Sequence, residues 1–225
     1  MNKYKIIEDC IYKLKRWVTI DGQHRCYGAC GSGGGGGGGG SGSRSFDSVD
    51  EIDEWDAKNN NSSGKDWRDS LTDEEVDAVE NYSGGGYKDI NDSLRFGDDY
   101  PNEDDIFNLD EALDKSKLTE DVVSWRGIGD SSFLGDIDIG DTFADEGFLS
   151  TSLSTHVADE YVSFGGSNRA YFRIVSKKGS SAGYFDGMSN FPTERELLIP
   201  RGSRMRLTNI TTRNGMPVYN FEYKD

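Results

Sequence analysis

No stretch of this chain approaches the roughly 18 consecutive apolar residues that a membrane-spanning helix needs. The first thirty residues also lack an uninterrupted apolar core, because Glu8, Asp9, Lys13, Lys15 and Arg16 break it up. Both absences argue against a membrane partner. They set the expectation of a soluble protein, cytoplasmic where it is made or delivered into the cytoplasm of a host cell. Histidine is scarce as well: His24 and His156 have no triad partners, so neither is assigned a catalytic role. Cysteine is confined to Cys10, Cys26 and Cys30. With His24 they number four potential zinc ligands, but the C-x3-C spacing matches familiar fingers only in part. Reduced thiols in a small helical arm are the reading carried forward, and no metal site is expected.

The chain does have acidity, distributed unevenly. Only 34% of its residues are hydrophobic, partly because it holds 29 glycines and 41 acidic residues, and its formal net charge is −16. Residues 1–45 carry seven Lys/Arg against three Asp/Glu, residues 46–121 seven against 25, and residues 122–225 eleven against 13. The middle of the chain is therefore strongly anionic, while the last part is nearly neutral. Such a field repels a nucleic-acid backbone and favours basic protein partners. Solubility alone is the competing explanation.

Composition also marks the organisation. Residues 1–30 form a small arm in which Ile6, Ile7, Ile11, Leu14 and Val18 recur at roughly helical spacing among basic residues. Residues 31–45 are a Gly/Ser-rich linker that includes eight successive glycines and has no means of forming a core. Residues 46–225, about 180 in number, are enough for one substantial domain. Its first part, 46–120, reads as helical. Phe46, Val49, Ile52 and Trp55 mark one helix, broken at Asn59 to Gly64. Thr72 with Glu75 three residues on is a capping-box start, and Leu71 and Val76 are placed as its hydrophobic staple. Gly84 to Gly86 are expected to end that helix. Tyr87, Ile90 and Leu94 mark another, Gly97 to Asp105 an acidic turn, and Ile106 to Leu113 a further helix. From residue 121 onward the pattern becomes short β-rich runs, with only Ser154 to Phe164 helical. Helices first and strands later give an α+β fold, helices segregated to one side of largely antiparallel sheets.

Three of the β-rich runs carry chemistry. The run Val122 to Gly127 ends in Trp125-Arg126-Gly127, and Gly147 to Ser154 passes through Ser150-Thr151-Ser152. In Phe191 to Pro200, Glu194 and Glu196 stand two apart at the mouth of an apolar strand. Strand alternation would put both carboxylates on one face and Arg195 on the other. Paired carboxylates suit chemistry that builds positive charge on carbon, as when an anomeric bond breaks through an oxocarbenium-like state. Alone, E-x-E is more often a solvated charged face. The ordered set of three is more specific: it resembles the R-S-E class of ADP-ribosyltransferases, which includes bacterial binary-toxin enzymes, vertebrate arginine-specific transferases and enzymes of T-even-like phages. The resemblance covers about residues 65 to 210. It extends to Asn81 to Arg95, similar to the family's N-terminal helix pair, and to Gly183 to Gly202, similar to its substrate-recognition loop and strand.

The resemblance implies an ADP-ribosyltransferase-like fold, with N-terminal helices packed on two mostly antiparallel β-sheets. It also implies mono-ADP-ribosylation of arginine on a basic target protein, with NAD as the consumed cofactor. Arg126 would meet the NAD diphosphate bidentately, and Gly127 would let the backbone approach the nicotinamide carboxamide. Ser150 would hold the catalytic glutamate, Glu196, which would stabilise the oxocarbenium. Glu194 would orient or deprotonate the acceptor, and Phe191 would contact its surface. In the loop Phe164 to Arg169, Phe164 would pack on nicotinamide and Arg169 would meet phosphate, although an extra glycine and Asn168 depart from the family pattern. A plain glycine-rich turn with Phe164 in the core is the other reading. Two competing functions stay open: NAD glycohydrolysis, and a non-catalytic binding or virion-associated domain of the same fold.

Overall fold

The computed structural model describes residues 42–58, 67–185 and 187–225. The N-terminal arm with its cysteines, nearly all of the glycine-rich linker and the break at Asn59 to Gly64 lie outside the described residues. The linker's last residues are part of the fold, however. Arg44 bridges Val122 in parallel register, its N–H bonded to the Asp121 carbonyl and its carbonyl to the Val123 N–H.

Helix α1 (Val49–Asp56) starts where the Ser48 hydroxyl accepts from the Glu51 N–H, and it buries Ile52 and Trp55. Helix α2 (Asp73–Asn81) has the expected capping box: Thr72 N–H donates to Glu75 Oε2 at 2.9 Å, and Glu75 N–H to Thr72 Oγ1 at 3.3 Å. The same Glu75 carboxylate takes Lys115 Nζ at 2.6 Å, tying α2 to helix α4 (Glu103–Lys115). The glycines after α2 break the helical path as expected, at Gly85 (φ 160°, ψ −16°). Past that kink comes α3 (Tyr87–Phe96), which stops at left-handed Gly97. The expected acidic turn is shorter than read, because α4 already begins at Glu103, where three acidic residues favour a helix N-terminus.

The strands are β1 (Val122–Ile128), β2 (Thr142–Ala144), β3 (Leu149–Ser152), β4 (Ala170–Ser176), β5 (Gly183–Tyr184), β6 (Glu196–Ile199), β7 (Arg204–Arg213) and β8 (Met216–Tyr223). Helix α5 (Thr155–Ser163) lies between β3 and β4 in sequence. Among the described residues they form one sheet in the order β2-β7-β8-β4-β1-β3-β6-β5, antiparallel except for the β4–β8 pair. The two expected sheets are recognisable as its halves. They join where β1 meets β3, and there the register holds one residue pair, Trp125↔Ser152.

The cores do not divide cleanly at that junction, since Leu149 of β3 and Ile199 of β6 pack with the residues of the wide half. Phe143, Phe172, Ile174, Leu207 and Phe221 fill the wide half, with Phe172 and Phe221 edge to face at 5.0 Å. Val79, Tyr82, Ile90, Leu109 and Leu113 of the helices close over Phe148 and Leu198 beside the narrow half. A third cluster packs Ile52 and Trp55 of α1 against Leu153, Tyr184 and Leu197. Each fully buried side chain of this kind stabilises the fold by about 1.5–3 kcal/mol, so the helices are fixed by their apolar faces rather than by propensity.

Candidate active site

The seam between the two halves is where the polar chemistry collects. Arg126 leaves β1 beside the single register pair, and its Nη1 donates to the Ser150 carbonyl at 2.6 Å. Ser150 Oγ donates in turn to Glu196 Oε1 at 2.6 Å. All three are buried. The residues following Ser150 fasten the neighbouring strand: Thr151 Oγ1 donates to the Leu197 carbonyl at 2.6 Å and Ser152 Oγ to the Glu194 carbonyl at 2.7 Å. Three hydroxyls in a row thus serve one purpose, locking β3 to the glutamate segment. Buried hydroxyls need such partners, because an unmet one costs about 1–3 kcal/mol.

The two glutamates are not related as strand neighbours. Glu194 closes a 3-10 turn (Pro192–Glu194), Arg195 is left-handed at φ 49° and ψ 48°, and only Glu196 belongs to β6. The expected alternation therefore fails: the kink at Arg195, not the pleat, directs the carboxylates. Both are nonetheless buried, Glu194 at 6% and Glu196 at 2% exposure. Glu194 Oε1 accepts from the Tyr161 hydroxyl of α5 at 2.9 Å, so each carboxylate is oriented from a different element.

Gly127 is needed for a reason the sequence did not show. A Cβ there would lie 2.5 Å from the Ala158 carbonyl oxygen and 2.8 Å from Tyr161 Cβ. The space is filled by α5, so the packing of helix on strand by itself requires a glycine there. The loop after α5 folds back onto the end of β1. Gly166 N–H donates to the Gly129 carbonyl at 3.0 Å, and both Ser131 N–H and Ser131 Oγ donate to the Asn168 carbonyl at 2.9 Å. That brings Phe164 and Arg169 to the Arg126 end of the seam. Phe164 is 51% exposed, which rules out the core position, and Arg169 is half-buried. Phe191 is half-buried in the loop before Glu194, its carbonyl accepting from the Glu194 N–H.

Three further residues support the site and were not picked out from the sequence. The Tyr82 hydroxyl stands 3.3 Å from Ser150 Oγ and accepts from Asn91 Nδ2 at 3.0 Å. Asn91 Oδ1 accepts from the Phe148 N–H at 2.8 Å, which anchors the start of β3 to α3. Tyr161 is the third. The first two lie within the motif Asn81 to Arg95, so the signal was present as a pattern but not as roles. Among the described residues no cluster of His, Cys, Asp and Glu is arranged to hold a metal, and no helix is long and apolar enough to cross a membrane.

Helices capping a split sheet is the fold of solved ADP-ribosyltransferase toxins. One from Paenibacillus larvae superposes with a TM-score of 0.64 at 24% identity, covering 78% of this chain and 96% of that one. The ADP-ribosyltransferase Vis from Vibrio splendidus gives 0.62 at 25% identity, covering 78% and 82%. The sequence model of the ADP-ribosyltransferase exoenzyme family matches residues 53–220, and the chain belongs to that family. Curated relatives include an NAD(+)–arginine ADP-ribosyltransferase of Enterococcus faecalis, 28% identical over 142 residues, and secreted exoenzyme S of Pseudomonas aeruginosa, 32% identical over 139. Each alignment takes in 60% of this chain but 28% and 29% of those relatives' lengths, so the chain spans under a third of each.

Proposed function

We propose that this protein transfers ADP-ribose from NAD to an arginine side chain of a target protein, releasing nicotinamide. The observation that carries the reading is the hydrogen-bonded line Arg126–Ser150–Glu196, drawn from three distant positions into one buried seam. The arginine specificity named for the Enterococcus faecalis relative supports the choice of acceptor, as does a carboxylate at Glu194, which matches a guanidinium fork.

In this mechanism Arg126 and Arg169 hold the diphosphate, whose charge would otherwise be repelled by an acidic chain. Phe164, exposed beside β1, stacks on the nicotinamide ring, and the Gly127 main chain contacts its carboxamide. The bond from the ribose anomeric carbon to the nicotinamide nitrogen breaks, and nicotinamide leaves with the electron pair. Glu196, held by Ser150, hydrogen-bonds the ribose 2′-hydroxyl and stabilises the cationic carbon; because that charge exists mainly in the transition state, the contact raises turnover. An acceptor guanidinium nitrogen then bonds the anomeric carbon and gives up a proton through Glu194, with Phe191 against the acceptor surface. A basic target suits the anionic helices, and the site of action is the cytoplasm of the cell that holds that target.

Incubation of the protein with labelled NAD and a basic protein tests this directly. Labelled protein is the expected result. Free ADP-ribose alone would mean glycohydrolysis, and no turnover of NAD would defeat the enzymatic reading.

A further inference from the structure

The residue between the two glutamates has a task of its own. Arg195 adopts a left-handed conformation, which a side chain with a Cβ rarely takes and which persists only where surroundings dictate it. The surroundings are visible. The Arg195 carbonyl accepts from the Leu153 N–H at 3.0 Å, just beyond the Ser150-Thr151-Ser152 strand. Its Nη1 meets Asp53 Oδ1 at 2.8 Å and reaches the Tyr184 hydroxyl at 3.5 Å. Asp53 sits on α1, whose Trp55 packs edge to face on the same Tyr184 ring at 5.8 Å. Helix α1 thus grips both the arginine and the strand beside it. The family match begins at Asp53, so the first half of that helix lies before it.

An ion pair this open, with Asp53 half exposed, adds little to stability. Its effect is geometric. With the kink at Arg195 held, Glu194 is presented to Tyr161 and Glu196 to Ser150. With the kink released, the backbone can relax toward the extended path, where Glu194 would leave α5 while Glu196 stays bound into β6. We propose that Asp53 and Arg195 form a clamp that sets Glu194 against Glu196, making Arg195 a positioning residue for acceptor transfer rather than for nicotinamide release. This rests on the function proposed above.

The test compares two rates, nicotinamide release in water and ADP-ribosylation of a small guanidino acceptor, in wild type, Asp53→Asn, Asp53→Glu and the double swap Asp53→Arg/Arg195→Asp. Expected is a roughly tenfold fall in transfer for Asp53→Asn, with release in water within twofold of wild type and an unchanged melting temperature. Asp53→Glu should keep most of the transfer, and the swap should recover part of it, aspartate tolerating the left-handed region better than arginine. Amide exchange at residues 193–196 should speed up in Asp53→Asn only. An active wild type whose ratio of transfer to release is the same in Asp53→Asn overturns the clamp alone. A wild type that releases no nicotinamide overturns the functional reading and the clamp with it.

Discussion

Ser150 donates its hydroxyl hydrogen to Glu196 at 2.6 Å across the β3–β6 pairing, although 46 positions separate them in the chain. Both lie in the segment of the sheet that Arg126 reaches from the other half. The serine therefore joins the arginine side chain, held by its main-chain carbonyl, to the carboxylate, held by its hydroxyl. Replacing Ser150 by alanine should cut nicotinamide release about tenfold to a hundredfold, the worth of one hydrogen bond to a charged group. The steady-state rate in saturating NAD measures this, and an unaltered rate would remove Ser150 from the mechanism.

The two glutamates should separate by function. Glu196→Gln is expected to lower both nicotinamide release and protein labelling by about 10²–10³-fold, the range for losing one preorganised charge-stabilising group. Glu194→Gln should lower labelling of a guanidino acceptor by a comparable factor and leave release in water nearly intact. Product analysis by mass spectrometry distinguishes the two, and equal losses in both reactions for Glu194→Gln would contradict the division.

Gly127→Ala should act on folding first. Its new methyl group would meet backbone atoms of α5 that cannot swing aside, so a destabilisation of about 1–3 kcal/mol is expected, several degrees in melting temperature. A scan of thermal unfolding reads this without any substrate. A variant with unchanged stability would show that α5 yields.

Acid should weaken the fold through identifiable carboxylates. A hydrogen bond from Lys177, joined by the Lys178 N–H, holds Asp121 below the usual carboxylate range. Burial alone would raise Asp159, but hydrogen bonds from Arg213 and Tyr171 outweigh it and lower that group as well. A depressed folded pKa contributes stability that is complete above the unfolded value, about 3.9, and is lost as pH falls through the folded value. Melting temperature should therefore hold from neutrality to about pH 5 and then decline. Asp159→Asn should lower stability at neutral pH and flatten the decline, and a profile parallel to wild type would exclude Asp159 as a contributor.

The elements legible in the sequence are those specified by near neighbours along the chain. Thr72 and Glu75 declare a helix start because both halves of the capping box lie within one turn. Strand runs from Val122 onward are evident from β-branched and aromatic residues between turn signals. Arg126, Ser150 and Glu196 were readable as an ordered set. Illegible was anything decided by a distant partner. Arg195 turns left-handed because Leu153 and Asp53 hold it there, and nothing in Thr193 to Glu196 announces that. The packing of α5 on Gly127 was likewise invisible, because it is set by Ala158 and Tyr161, more than thirty positions away. Gly84 to Gly86, by contrast, read as a helix terminator from local composition, and the helical path does break at Gly85.

The lone register pair Trp125↔Ser152 has a mechanical meaning. Its neighbours β1–β4 and β3–β6 are zipped over several residues, so prying them apart would forfeit a row of backbone bonds. At this junction the two lobes share only one rung, and a change in the angle between them disturbs little else of the ladder. What keeps the halves together there is side-chain packing, with Leu149 and Ile199 set among Phe143, Phe172 and Phe221, so Arg126 and Ser150 lie where the sheet depends least on its backbone bonds.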